Sequence, residues 1–208
     1  CAMAEVVPRK VSVIQREPDG PFDHNLEEVS RAVWPRTRLV YLVNPSNPLG
    51  NGIRPAAFTA LLEAIPPTVP IVVDAAYLEF SENADLLRTH EFVRKTDRML
   101  IGLRTFSKFY GLAGLRIGYA FGTPTAMRMF ERLEHLFCVP QIAQEAAVAA
   151  LADEEHARST HALLRAEKKR MKDKLAAAGL AVLPSEIHFV LVQCPVPVAE
   201  ADRVWAAF

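Results

Sequence analysis

The sequence has few cysteines, and this scarcity excludes a disulfide-rich secreted domain. Cys1, Cys138 and Cys194 are odd in number and far apart, and their spacing is not that of a zinc site. Such sparse cysteines favour a reducing, cytoplasmic location. No apolar stretch reaches the roughly 18 residues that a membrane-spanning helix needs, and a signal-peptide layout is missing at the N-terminus, so we expect no membrane association.

An excess of charge of either sign is also missing, because Lys+Arg and Asp+Glu number 24 each. A balanced chain offers no electrostatic footprint for nucleic acid, so no nucleic-acid partner is expected. The six histidines have no metal-ligand spacing, and no metal site is predicted. What remains is the composition of an ordinary globular protein, with 50% hydrophobic and 23% charged residues.

Short β-rich runs alternate with amphipathic helical runs, a pattern typical of α/β proteins. Several of the runs are continuously apolar, as strands covered by helices on both faces tend to be. Helices are predicted to begin near Asn25, Pro55 and Thr123. The predicted fold is therefore α/β, with a mainly parallel sheet and helices on both faces. The predicted strands are residues 11–14, 39–43, 71–74, 99–103 and 116–120.

The pattern changes near residue 153, where a long charged helix is predicted to run from Glu154 to about Ala178 and to end at Gly179. Two short strands and a last helix up to Phe208 follow. We expect two domains: residues 1–152, a large domain without its N-terminal part, and residues 153–208, a partial α+β small domain. The chain opens on Cys1 rather than Met, which adds to the expectation of a fragment.

Three polar segments follow predicted strands, where ligands bind in open α/β sheets. Residues 44–50 read Asn-Pro-Ser-Asn-Pro-Leu-Gly, residues 74–77 read Asp-Ala-Ala-Tyr, and residues 104–116 read Arg-Thr-Phe-Ser-Lys-Phe-Tyr-Gly-Leu-Ala-Gly-Leu-Arg. Taken alone, the first is explained by turn chemistry, and Asp74 by a helix cap or a loop hydrogen bond.

The third segment is less easily explained by a solvated loop. Lys108 stands among Ser, Thr and Gly residues, and Arg116 follows eight residues later. Hydroxyls and loop N–H groups can bind phosphate oxygens, and an arginine can add bidentate charge-assisted bonds. A lysine amine can form an imine with a carbonyl carbon. The segment would therefore suit a phosphorylated carbonyl compound.

Together the three segments resemble the signature motifs of fold-type I aminotransferases, which depend on pyridoxal 5′-phosphate (PLP). They are most similar to the histidinol-phosphate aminotransferase branch, with its Asn-Pro-x-Asn-Pro-Thr-Gly, Asp-Glu-Ala-Tyr and Arg-Thr-x-Ser-Lys-x-x-Gly-Leu-Ala-Gly-Leu-Arg motifs. Order and spacing agree over residues 38–120, and a weaker likeness continues through residues 139–147 and 184–190. Full family members are nearly twice as long, so the resemblance implies a chain truncated at both ends.

The resemblance implies catalytic roles for Lys108, Asp74 and Tyr77. Lys108 would bond to the aldehyde of the cofactor and, once displaced, would move a proton between the substrate α-carbon and the cofactor. Asp74 would keep the pyridine nitrogen protonated, which makes the ring an electron sink. Tyr77 and Asn47 would both hydrogen-bond to the phenolic oxygen of the ring.

The resemblance also implies a phosphate site made of Thr105, Ser107 and Arg116, with the arginine as the fixed positive charge. Some residues depart from the family pattern. Leu49 stands where Thr is usual and Ala75 where Glu is usual, and neither position carries chemistry. His188 stands where Asn is common, and this departure puts the substrate contacts at that position in doubt.

The expected activity is transfer of an amino group between an amino acid, histidinol-phosphate-like or aromatic, and a 2-oxo acid. The family's active site is shared between subunits, so a homodimer is expected. A PLP-dependent decarboxylase of the threonine-phosphate type shares the same loops and stays open as an alternative. So does a non-catalytic fragment that packs against a partner. Arg203 precedes the expected position of the carboxylate-binding arginine and is interpreted as a surface residue.

Overall fold

Strands and helices alternate along the chain in a computed structural model that describes residues 8–12, 14–15, 22–132, 138–193 and 200. The strands are β1 (Ile14–Gln15), β2 (Phe22–Asp23), β3 (Val40–Val43), β4 (Ile71–Asp74), β5 (Leu100–Thr105), β6 (Gly118–Gly122), β7 (Ala181–Leu183) and β8 (Leu191–Gln193). The helices are α1 (Leu26–Ala32), α2 (Pro55–Ala64), α3 (Thr89–Val93), α4 (Pro124–Glu131), α5 (Gln141–Ala152) and α6 (Glu154–Ala177).

The largest sheet has four strands in the order β3-β4-β5-β6. The first three run parallel and β6 is antiparallel to β5. In this register Val43 lies beside Asp74, and Asp74 lies beside Leu103. The carboxyl ends of the three parallel strands therefore meet at one edge of the sheet. The polar segments that follow these strands are brought to that edge, and the predicted mainly parallel α/β sheet is confirmed.

Helices pack on both faces of this sheet, because neighbouring residues of a strand point to opposite sides. Val73 is fully buried on one face, in the same cluster as Phe58 and Leu61 of α2. Val72 lies on the other face, in a cluster with Ala126 of α4. Burying a side chain such as Phe58 contributes about 1.5–3 kcal/mol, so these contacts hold the strand ends in place.

Several elements differ from the sequence prediction. The first strand, predicted at residues 11–14, is β1 at Ile14–Gln15, and the short helix α3 was not predicted. Strand β6 begins at Gly118 rather than at Arg116, because Arg116 has φ 51° and ψ 47°, a left-handed conformation that cannot continue a strand. Helix α5 was not predicted. Its alanine-rich sequence has weak polar–apolar contrast, and only Ala143 and Ala147 of its side chains are buried among the described residues.

The long charged helix α6 agrees with its prediction at both ends. The side chain of Asp153 caps its start by accepting a hydrogen bond from the backbone N–H of His156 at 2.9 Å. Its end is a glycine with φ +78°, Gly179, whose N–H bonds to Ala176 O while Leu180 N–H bonds to Leu175 O. No helix in the described ranges is long and apolar enough to cross a membrane. The predicted last helix and Arg203 lie outside the described residues.

Candidate active site

The loop after β3 is held rigidly by Asn44, which is fully buried. Its side-chain amide donates to Leu87 O at 3.1 Å, and its carbonyl oxygen accepts from the N–H of Ile53 at 2.6 Å. The loop then presents Asn47 outward. The Asn47 amide donates to the hydroxyl of Tyr77 at 3.0 Å, so the first two motifs meet at the strand ends.

Gly50 closes this loop with φ +70°, and a Cβ at this position would lie 2.0 Å from the hydroxyl of Ser185. Its carbonyl oxygen also accepts a hydrogen bond from the N–H of Glu186 at 2.8 Å. Only glycine can adopt this positive φ without strain and leave room for Ser185. The first motif is therefore packed directly against the segment at residues 185–188.

Asp74 ends β4 with both carboxylate oxygens hydrogen-bonded. Oδ1 accepts from the N–H of Ala76 at 3.0 Å, and Oδ2 accepts from the hydroxyl of Tyr41 at 2.5 Å. Burial, and then the hydrogen bond and negative charge of Asp74, raise the pKa of Tyr41 to about 12. Sequence reasoning missed Tyr41. Its position on an apolar strand carried no signal, because only the pairing of β3 with β4 places it beside Asp74.

Tyr77 lies at the centre of an aromatic cluster and is buried. Its ring centroid is 5.7 Å from that of His188 and 5.6 Å from that of Phe189. The Nζ atom of Lys108 lies over the same ring, 5.7 Å from its centroid. The structure thus brings together Asn47, Tyr77 and Lys108, one residue from each of the three motifs.

The loop that carries Lys108 is folded back on itself by backbone hydrogen bonds. Gly111 N–H donates to Lys108 O at 3.0 Å. Closer to β5, the hydroxyl oxygen of Thr105 accepts from the N–H of Ser107 at 3.1 Å. Because Lys108 is exposed, the hydrogen bonds of this loop, rather than packing in the core, position the lysine.

Arg116 ends the loop in its left-handed conformation and is exposed. Its Nη1 donates to Ala113 O at 2.8 Å. Within the part of the chain that the structure describes, no carboxylate forms an ion pair with this guanidinium, so its remaining N–H groups can bind an anion.

An ion pair joins the third motif to the turn that follows the second. Arg104, the last residue but one of β5, donates to one carboxylate oxygen of Glu79 from Nε at 3.0 Å and from Nη2 at 2.5 Å. The two side chains are only 16% and 9% exposed. Sequence reasoning missed Glu79, although an acidic residue two positions after Tyr77 could have drawn attention to it.

His188 forms part of the wall of the site. Its ring lies 4.2 Å from that of Phe80, and its Nδ1 is buried without a hydrogen-bond partner among the described residues. Burial lowers the pKa of His188, and the charges of Lys168 and Lys108 lower it further. The segment that carries it is held by the Lys168 amine, which donates to Ser185 O at 2.8 Å and Ile187 O at 2.6 Å.

The side chains of the three motifs match the polar groups of PLP in kind. PLP has an aldehyde, a ring nitrogen, a phenolic oxygen and a phosphate, and the site offers an amine, a carboxylate, a phenol with an amide, and hydroxyls with a guanidinium. The Asn47 amide and the Tyr77 hydroxyl lie 3.0 Å apart, close enough to share one oxygen of a ligand. The available N–H groups of Arg116 suit a phosphate. The residues present therefore fit this cofactor.

Comparison with known proteins agrees with the fold and the motifs. Residues 3–207 match the family described as aminotransferase class I and II, so the chain belongs to this family. Histidinol-phosphate aminotransferase 2 of Ralstonia nicotianae is 40% identical over 192 residues, which are 92% of this chain and 50% of the relative. An aromatic amino acid aminotransferase of Streptomyces coelicolor is 39% identical over 167 residues, 80% of this chain and 46% of the relative.

A solved structure has the same fold. It is histidinol-phosphate aminotransferase from Sinorhizobium meliloti in complex with pyridoxal 5′-phosphate, with a TM-score of 0.74 and 36% sequence identity. The match covers 88% of this chain and 49% of that one. The chain thus has the fold of class I and II aminotransferases over about half the length of the relatives it matches.

Proposed function

We propose that this chain carries the PLP site of an aminotransferase, which moves an amino group between an amino acid and a 2-oxo acid. The observation that carries the proposal is the convergence of Asn47, Tyr77 and Lys108 at the strand ends that Asp74 also occupies. The relatives named above are aminotransferases, which favours amino transfer over decarboxylation. Their names support a histidinol-phosphate-like or aromatic amino acid as the substrate.

In this proposal the Lys108 amine would hold PLP at its aldehyde group and, when free, would move the proton at the substrate α-carbon. When bound, PLP supplies an electron sink for the bonds to that carbon. Asp74 binds the protonated ring nitrogen through its carboxylate. Tyr77 and Asn47 hydrogen-bond to the phenolic oxygen, since their polar atoms already lie within contact of each other.

The phosphate is bound by Thr105, Ser107 and Arg116. The two hydroxyls stand at the start of the Lys108 loop and the guanidinium at its end, and the backbone bonds of the loop hold them in one folded unit. An arginine offers paired N–H donors that match phosphate oxygens, which a lysine ammonium does not.

The same proposal extends to the organisation of the protein. We assign residues 1–152 to a PLP-binding large domain and residues 153–208 to part of a small domain. The end of α5 at Ala152 and the start of α6 at Glu154 support a boundary there. We also propose a cytoplasmic homodimer that acts on small molecules, consistent with the sparse cysteines and balanced charge.

The proposal is tested by mapping where PLP attaches. The chain is incubated with PLP, reduced with borohydride and digested, and the pyridoxyl group is expected on Lys108. Lys108→Arg should abolish specific labelling because the guanidinium does not form the imine. Lys169→Arg is the control, since Lys169 is exposed and paired with Asp173. Labelling spread over surface lysines, or no labelling, would reject the assignment and favour a non-catalytic fragment.

A further inference from the structure

The carboxylate of Asp74 is held by donors from two different elements. The N–H of Ala76 belongs to the turn after β4, whereas the Tyr41 hydroxyl comes from the neighbouring strand β3. Tyr41 pairs with Val72 and Val43 pairs with Asp74, so Tyr41 and Asp74 project from the same face of the sheet. The hydroxyl oxygen lies 2.5 Å from Oδ2, the separation of a strong charge-assisted O–H···O⁻ bond.

We propose that Tyr41 is a positioning residue that orients the Asp74 carboxylate toward the ring nitrogen of the cofactor. This inference rests on the proposed function, because it assumes that Asp74 binds that nitrogen. Each carboxylate oxygen can accept more than one hydrogen bond, so the bonds from Tyr41 and Ala76 leave acceptor capacity for a third donor. With both oxygens tied, the carboxylate cannot rotate away from its ligand.

The geometry separates this role from general packing. Tyr41 is 52% exposed, so it contributes little to the core, and its hydroxyl rather than its ring contacts Asp74. Removing the hydroxyl should leave the sheet intact and free one side of the carboxylate. The loss of binding affinity should then appear only with a ligand that has a ring nitrogen for Asp74 to bind.

A pair of ligands tests this point. The dissociation constants of PLP and of its carbocyclic analogue, in which CH replaces the ring nitrogen, are measured for the wild-type chain and for Tyr41→Phe. We expect Tyr41→Phe to weaken PLP binding about 5- to 10-fold, the effect of losing one hydrogen bond of typical net strength. Binding of the analogue should change less than about twofold by the same reasoning. Tyr119→Phe is the control. Tyr119 is similarly exposed, but it lies opposite Arg104 in the strand register and on the other face of the sheet from Asp74.

A second measurement needs no cofactor. Alkaline titration followed by ultraviolet absorbance, with the Tyr41→Phe signal subtracted, should give a Tyr41 pKa of about 12. In Asp74→Asn this pKa should fall but stay above the ordinary value near 10, because the negative acceptor is gone while burial, the largest cause of the shift, remains.

The outcomes distinguish the two proposals. Equal weakening of PLP and analogue by Tyr41→Phe, no weakening of either, or a Tyr41 pKa unchanged in Asp74→Asn would each overturn the role of Tyr41. The assignment of Lys108 would survive these results if borohydride labelling still falls on that lysine. Failure of the wild-type chain to bind PLP at all would overturn both proposals.

Discussion

Single side chains at the site depend on neighbours that the motifs do not include. Asn44 orients its loop through Leu87 and Ile53, and Tyr41 holds Asp74. His188 is the departure from the family pattern with a visible structural consequence. Its ring packs against Tyr77 in the wall of the site rather than on the surface. Because its pKa is lowered, His188 presents a neutral imidazole at the position where the substrate contacts were in doubt.

The lowered pKa of His188 makes a prediction about stability and pH. An unfolded histidine titrates near 6.5, so below that pH the unfolded chain binds a proton that folded His188 does not yet bind. The free energy of unfolding should therefore fall as pH drops through about 6.5 toward the lower, folded pKa. In His188→Asn this contribution is removed, and the decrease between about pH 7 and pH 5 should be smaller.

Urea unfolding at several pH values measures this difference. Some pH dependence should persist in the variant, because burial also lowers the pKa of His24. His90→Asn is the matched control, since His90 is exposed on α3. Parallel pH profiles for wild type and His188→Asn would show that His188 is not the source of the acid sensitivity.

Strands and helices position the site through contacts between their ends. The Arg104–Glu79 ion pair ties the end of β5, which leads to Thr105 and Lys108, to the turn that follows Tyr77. The pair is nearly buried, so neither charge is well solvated. Its place suggests that it sets the distance between the lysine loop and the tyrosine.

Removing one partner of this pair should be costly. Glu79→Ala leaves the Arg104 charge buried without its partner, and we expect the free energy of unfolding to fall by about 3–5 kcal/mol. Replacing both residues with apolar ones of similar size, Arg104→Met with Glu79→Leu, should recover most of the loss. Chemical denaturation of the three proteins measures these values.

An exposed pair serves as the reference for that experiment. Lys169 and Asp173 on α6 are 77% and 64% exposed. Asp173→Ala should change stability by no more than about 0.5 kcal/mol, because solvent screens such pairs. If Glu79→Ala were as mild as Asp173→Ala, the buried pair would not be what holds the two segments together.

The chain as a whole spans about half the length of the relatives that it matches. Within the described residues, Arg116 is the arginine of the site without a carboxylate partner, and the proposal assigns that residue to the phosphate. A second arginine, free to bind the carboxylate of an amino-acid substrate, is not found among the described side chains of the site. We therefore expect cofactor binding to be retained better than turnover.

The 208-residue chain alone should be a poor transaminase. Without a bidentate clamp on the substrate carboxylate, positioning is lost and the rate should be about 10²- to 10⁴-fold lower. The measurement is turnover per bound cofactor, compared with a form lengthened at both ends to the size of the relatives. Equal turnover in the two forms would show that the described half already contains a complete substrate site.

Much of the fold followed from local patterns. The apolar runs that became β3 and β4 and the long charged helix ending at Gly179 were predicted, because strand and helix periodicity and a terminating glycine are properties of neighbouring residues. The order of the three motifs was sufficient for the family, which the comparisons confirm. The roles of Lys108, Asp74 and the phosphate-binding residues stay predictions.

The remaining features were decided by tertiary structure. Tyr41 and Asp74 are 33 residues apart, Arg104 and Glu79 are 25 apart, and Ser81 and Glu186 are 105 apart. No local pattern relates such residues, because their contact depends on strand register and on how the 185–188 segment packs against Gly50. The sequence alone therefore determined which chemical groups stand at the strand ends. Only the folded chain decided which neighbours hold those groups in place, since side chains distant in sequence meet only after the strands have paired.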